Sequence, residues 1–198
     1  MFAKIIAIEG PDKTGKATQS KMLAHTLRRY GDRVVRVEVP WNDRLTHPLL
    51  YSMLRSGSAR RHPNLFQFVH FINKFIFQST YLLWLWLTCD FVVLDRWKTS
   101  AMAYGIASQT NFYLSWMMYK LIVSAHLTCV LHGPSRKRNT IDDSYERDQV
   151  LQDAVRTAYY NWVELNPLDH ELIDSQGTRD EVHDRITTTL TRFAARTR

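Results

Sequence analysis

A strand-like run, Lys4–Glu9, passes directly into Gly10-Pro11-Asp12-Lys13-Thr14-Gly15-Lys16, and helical spacing through Met22, Leu23 and Leu27 begins at once behind Lys16. Few folds accept this passage. The turn must curl tightly enough for several backbone N–H groups to converge, and the helix behind it starts with N–H groups that have no partner of their own. Such a concavity favours an anion, and a lysine on its rim strengthens the preference. The spacing G-x-x-x-x-G-K after a strand and before a helix is that of a phosphate-binding loop. It predicts that Gly10, Lys13, Thr14, Gly15, Lys16, Ala17 and Thr18 surround the phosphates of a nucleoside triphosphate, with Lys16 a point charge for the β and γ groups. The position after Lys16 ordinarily carries a serine or threonine hydroxyl for Mg²⁺. Here it is Ala17, so either Thr18 or water replaces that ligand, or phosphates and carboxylates hold the metal.

The remaining chain alternates strand-like and helical stretches. Strands are expected at Val34–Val39, Phe91–Leu94, Leu127–Leu131 and Glu171–Asp174. Helices are expected at Lys16–Tyr30, Leu45–Arg55, from Pro63 to about Leu87, Lys98–Ser108, Asn111–Ala125 and Glu146–Leu165. Thr178 with Glu181 three residues on forms a capping box for a last helix. Continuous apolar strands alternating with helices imply an α/β fold of the P-loop NTPase type. This is a three-layer sandwich with a parallel sheet of about five strands flanked by helices, in one domain over 1–198. The segment Gly133–Asp143 has almost no apolar content, and about 133–147 reads as a short lid. In such sheets ligands bind beyond the carboxyl ends of the strands, so the polar residues there carry the function.

A formal charge of +7 is compatible with a phosphorylated small molecule, a nucleic acid or a membrane surface, and does not choose among them. Cys89 and Cys129 lack metal-ligand spacing and read as reduced core cysteines of a cytoplasmic protein. Met1–Gly10 reads as a strand entering the loop rather than a secretory leader. The apolar run Phe75–Cys89 is too short for the ~20 residues of a membrane span and is interrupted by Gln78, Ser79, Thr80 and Thr88. It is expected to be a helix buried in the core, so no membrane association is expected.

Beyond the loop, Asp95-Arg96-Trp97 follows a buried strand, Ser100 and Tyr104-Gly105 come shortly after, and Asp143-Ser144-Tyr145-Glu146 follows the lid. Together with Gly10–Gln19, these ordered motifs resemble the thymidylate kinase family, whose loop reads G-x-D-[RK]-x-G-K-x-T-Q and whose strand ends in Asp-Arg-Tyr. The resemblance implies ATP as phosphoryl donor, Mg²⁺, a deoxynucleoside monophosphate as acceptor, and commonly a homodimer. It assigns Asp12 to the sugar 3′-hydroxyl, Tyr104 to the deoxyribose face, and Tyr145 to a contact over the acceptor. Ser100 falls at the family spacing. Val39-Pro40 resembles its F-P or E-P, making Arg44 a candidate for the arginine that follows. Ile72-Asn73-Lys74 resembles its A-N-R, which places His70 and Lys74 where the family has a base-stacking Phe and a base-reading Arg, four residues apart on one helix face. The planar fork of arginine is then absent.

Arg96 can also be argued on its own. An arginine just past a buried strand enters the crevice beside the phosphate loop, where it can grip an acceptor phosphate, while Asp95 steers it or orients Mg²⁺ through water. Lid residues Arg136 and Arg138 are candidates to stabilise transition-state charge. The expected catalytic set is Lys16, Asp95, Arg96, Arg136 and Arg138, with Thr18 and Asp95 as candidate metal ligands. Thymidylate is the expected acceptor. Alternatives are deoxyuridylate or a modified pyrimidine nucleotide, a deoxynucleoside kinase, or a basic nucleic-acid-binding protein. No nucleic-acid module accompanies the charge, so nucleic acid is not an expected partner.

Overall fold

The computed structural model describes residues 2–134 and 148–196. These form five parallel strands, β1 (Lys4–Glu9), β2 (Val34–Glu38), β3 (Phe91–Asp95), β4 (Leu127–His132) and β5 (His170–Asp174), in the order β2-β3-β1-β4-β5. Alternation along β1 sends Ile6 and Ile8 to one face and Ile5 and Ala7 to the other, and all four are buried. On the first face they meet Leu23 and Leu27 of α1 (Lys16–Arg29) and Val182 and Ile186 of α9 (Arg179–Arg196). The opposite face is covered by α2 (His47–Arg55), α3 (Ser58–Arg61), α4 (Pro63–Phe77), α5 (Leu83–Thr88), α6 (Lys98–Ala107), α7 (Phe112–Lys120) and α8 (Gln149–Leu165). The expected α/β sandwich is the fold observed.

Element ends follow local chemistry. Pro63 opens α4, where its missing N–H costs nothing. The capping box forms as expected. Thr178 N donates to Glu181 Oε2 at 2.7 Å, and Glu181 N donates to Thr178 Oγ1 at 3.3 Å.

Two expectations need correction. The helix from Pro63 is interrupted by a π-helical turn at Gln78–Leu82 before α5 continues to Thr88. The apolar run Phe75–Cys89 is therefore not enclosed. Phe77, Leu82 and Leu85 face the core, while Leu83, Trp84 and Leu87 are exposed. The wider turn shifts the apolar stripe around the axis, so a run apolar on all sides covers the core with only one of them. Likewise Phe66 and Phe71 are buried but Phe68 and Phe75 are not. Among the described residues no helix is long and apolar enough to cross a membrane.

The register places the site. Ile8 lies opposite Asp95, so the loop after β1 and Arg96 after β3 leave the sheet side by side. Arg96 N donates to Ile8 O at 3.0 Å and ties the two exits together.

Candidate active site

The loop between β1 and α1 depends on two glycines for different reasons. Gly10 has φ +135°, and a Cβ there would lie 2.4 Å from the carbonyl oxygen of Leu131, a backbone atom with no room to retreat. Gly15 caps α1 at φ +96° with open space beside it, so a ligand can approach the backbone closely. Among the described residues no side chain caps α1 and no acidic residue stands in its first turn, which leaves its N–H groups and dipole directed at an incoming anion. Thr14 Oγ1 donates to Pro11 O at 2.9 Å and Lys16 Nζ to the same carbonyl, which folds the loop over the lysine.

Lys16 is almost fully buried, with Nζ 3.9 Å from Asp12 Oδ1. Burial pulls its ammonium down to about 7, and the Arg96 charge adds to the fall against the opposing pull of Asp12. Asp12 is the centre of a second cluster. It pairs with Arg96, accepts from Tyr104 OH at 2.6 Å and from Gln152 Nε2 at 3.1 Å, and its own N–H donates to Gln152 Oε1 at 3.4 Å. Burial would raise this carboxyl, but the charges of Arg96 and Lys16 outweigh it and hold Asp12 well below the usual carboxylate range. Arg96 itself sits at φ +67°, in the left-handed region that residues other than glycine rarely adopt. Strain of that kind costs about 1–3 kcal/mol and concentrates at functional sites. Here it turns the guanidinium into the cleft, 5.8 Å from the Tyr104 ring centroid.

Beyond Arg96 lies a cleft of about 180 Å³, lined on the far side by Phe66, His70 and Lys74 of α4. His70 and Lys74 share a face as their spacing predicts, with Lys74 Nζ 3.4 Å from His70 Nδ1 and the Phe66 ring edge-on to the imidazole at 4.7 Å. Burial, reinforced by the Lys74 and Arg96 charges, holds His70 neutral well below its ordinary range. Burial also draws Lys74 down to about 8 against the attraction of Glu9. A charged Lys74 can only donate, so His70 Nδ1 accepts from it and the proton sits on Nε2.

The other expected residues divide. Ser100 lines the cleft, but its hydroxyl is committed to Glu9 and also accepts from Tyr159 OH at 2.8 Å. Lys13 stands in the loop at φ +63°. Arg44 is exposed in the connection after β2, and the chain after Pro40 is held by Asn73, which accepts from Trp41 N and donates to Trp41 O, each at 2.8 Å. Arg136, Arg138 and Tyr145 lie outside the described residues.

Three participants were missed in the sequence. Gln152 was legible only as a polar residue on the buried face of α8, next to Leu151 and Val155. Glu9, fully buried at the end of β1, accepts from Trp97 N at 2.7 Å and from Ser100 N at 3.2 Å. Arg36 interrupts the apolar run of β2 and pairs with Asp95 Oδ2, which also accepts from Ser20 Oγ at 3.3 Å.

The donor set for a protein-held Mg²⁺ fits poorly. Ala17 offers no side-chain oxygen, Thr18 is exposed, and the carboxylates of Glu9 and Asp12 and the Oδ2 of Asp95 are already engaged by donors. Among the described residues no group of three or more His, Cys, Asp or Glu side chains could hold a metal ion.

A protein-family model described as thymidylate kinase matches residues 8–186, nearly the whole chain. The chain belongs to the thymidylate kinase family. It is an ATP-dependent phosphotransferase, a nucleoside monophosphate kinase that acts on dTMP and so serves dTTP formation. Solved structures agree in fold. A thymidylate kinase from Ehrlichia chaffeensis is 20% identical with a TM-score of 0.75, covering 96% of this chain and 99% of that one. One from Candida albicans, described as having broad substrate specificity, is also 20% identical with a TM-score of 0.75, covering 99% and 92%. No curated protein sequence matches the chain. The alternatives of another pyrimidine acceptor, a nucleoside acceptor or a nucleic-acid-binding protein are not favoured.

Proposed function

We propose that ATP lies along Gly10–Thr18 with its phosphates at the N-terminus of α1, that dTMP occupies the cleft beneath α4, and that Arg96 joins the two halves. The position of Arg96 carries this reading, because its guanidinium stands between Asp12 of the loop and Tyr104 of the cleft. A hydroxyl acceptor would need a carboxylate base. The carboxylates here are bound to donors, whereas a phosphate acceptor is already an anionic nucleophile. In the transfer a dTMP phosphate oxygen bonds to the γ-phosphorus, the bond from that phosphorus to the β-bridging oxygen breaks, and dTDP and ADP leave. Lys16 offsets charge on the β and γ groups, and Arg96 offsets the repulsion of the incoming phosphate. Asp12 meets the 3′-hydroxyl, Tyr104 packs on the deoxyribose, and Lys74 and His70 Nε2–H read the base. Mg²⁺ travels with the nucleotide. Arg136 and Arg138 are read as the lid cations over a single kinase domain. The exposed Trp84 and Leu87 support self-association, and the two free, buried cysteines support a reducing, cytoplasmic setting.

A panel of nucleoside monophosphates and nucleosides, each offered with ATP and Mg²⁺ in a coupled ADP assay, tests the reading. Turnover is expected with dTMP and not with thymidine; the opposite pattern would sink it.

The base-reading role has a pH signature. With Lys74 near 8, its ammonium is present below that pH and lost above it. At saturating ATP, kcat/KM for dTMP is expected to fall between pH 8 and 9.5. Lys74→Arg, which keeps its charge throughout, should flatten the profile. An equal fall in both proteins would remove Lys74 from base recognition.

A further inference from the structure

We propose that this kinase does not itself anchor the divalent cation of its nucleotide, and that Arg36 occupies Asp95 in the metal's stead. The inference rests on the phosphate-loop reading above. Ala17 places a methyl where a hydroxyl ligand would project, and the next hydroxyl on that side of α1 is Ser20, one turn further along. Ser20 is fully buried and already bonded. Its Oγ lies 3.2 Å from Ala17 O and 3.3 Å from Asp95 Oδ2, and accepts from Arg36 Nε at 2.8 Å. Arg36 Nη2 donates to the same Asp95 oxygen, with Glu38 at the rim 3.3 Å away. Arg36 pairs with Val93 in the sheet, two residues below Asp95, so its extended side chain runs along the strands to the carboxylate.

This Asp95–Arg36 pair has a chemical consequence. An aspartate that steadies a metal-bound water must turn a free, anionic oxygen toward a hydrated dication. Asp95 Oδ2 instead faces a guanidinium, only 16% exposed at its side chain, whose charge repels a dication brought alongside. The two changes act together: one removes a direct ligand and the other withdraws an outer one. Arg36 is thus a positioning residue, and the cation is held by phosphate oxygens and water.

Manganese serves as the probe. Mn²⁺ is titrated into the full-length protein with ADP, free Mn²⁺ is read by electron paramagnetic resonance, and metal-free ADP binding is measured in parallel by calorimetry. The wild-type complex is expected to bind Mn²⁺ within about twofold of ADP alone in solution. Ala17→Ser should tighten it about tenfold, and Arg36→Met several-fold by releasing Asp95. Wild-type protein that already tightens Mn²⁺ tenfold over free ADP, or an Ala17→Ser protein that leaves it unchanged, overturns the proposal. Should Arg36→Met not fold, the other two proteins still decide it. Failure of ADP to bind would instead strike the phosphate-loop reading, which is a distinguishable result.

Discussion

Lys16→Met is expected to lower kcat for dTMP phosphorylation by about 10³-fold or more, equivalent to ~4 kcal/mol of transition-state stabilisation. The lysine is buried beneath the phosphate loop, where water screens poorly and a positive charge opposite the β and γ oxygens has most effect. Stability should move the other way or not at all. Burial already pulls the Lys16 ammonium to about 7, so the empty protein holds a cation its surroundings disfavour, and methionine fills similar space without that penalty. Turnover lost with the melting temperature unchanged or raised is the expected pair of results. A variant within tenfold of wild-type turnover would remove Lys16 from the chemistry.

Arg96→Ala should be nearly as severe in catalysis and different in character. It removes the guanidinium beside the cleft and leaves Asp12 buried with Tyr104, Gln152 and the more distant Lys16. A drop of about 10³-fold in kcat/KM for dTMP is expected, with ATP affinity changed far less. Breaking a buried pair by removing one partner costs about 3–5 kcal/mol, so this variant should also melt earlier. Asp12→Asn in the same protein should restore part of that stability without restoring activity. If the double variant is no more stable than Arg96→Ala, the Asp12–Arg96 pair is not what the single variant loses.

The fold was legible wherever local chemistry decides it. A strand, a glycine turn and a helix at Lys4–Arg29 read directly from the chain because the turn admits no other residues at Gly10. The capping box at Thr178 is equally local. The helix from Pro63 was legible as a helix, but its π turn was not, because nothing in Gln78–Leu82 forces an extra residue into the turn. In the site, Asp95 and Arg96 were recognisable by position at a strand end. Their partners were not. Gln152 reaches Asp12 across 140 residues of chain and Arg36 reaches Asp95 across 59, contacts that only the register of the sheet and the seating of α8 bring about. Arg44, picked out by residue type and position, lies exposed in the connection after Pro40.

Asp12 joins the phosphate loop, the end of β3, α6 and α8 at one carboxylate. The cleft is consequently not vacant in the electrostatic sense: Arg96 is already satisfied from within. On the proposed reading an acceptor enters by exchange. Its phosphate would draw Arg96 away, and its sugar hydroxyl would then replace what Asp12 gives up. A molecule offering only one of these would leave a buried charge with a missing partner, so inorganic phosphate and a nucleoside are each expected to bind poorly for the half they lack. Discrimination of this kind precedes any reading of the base.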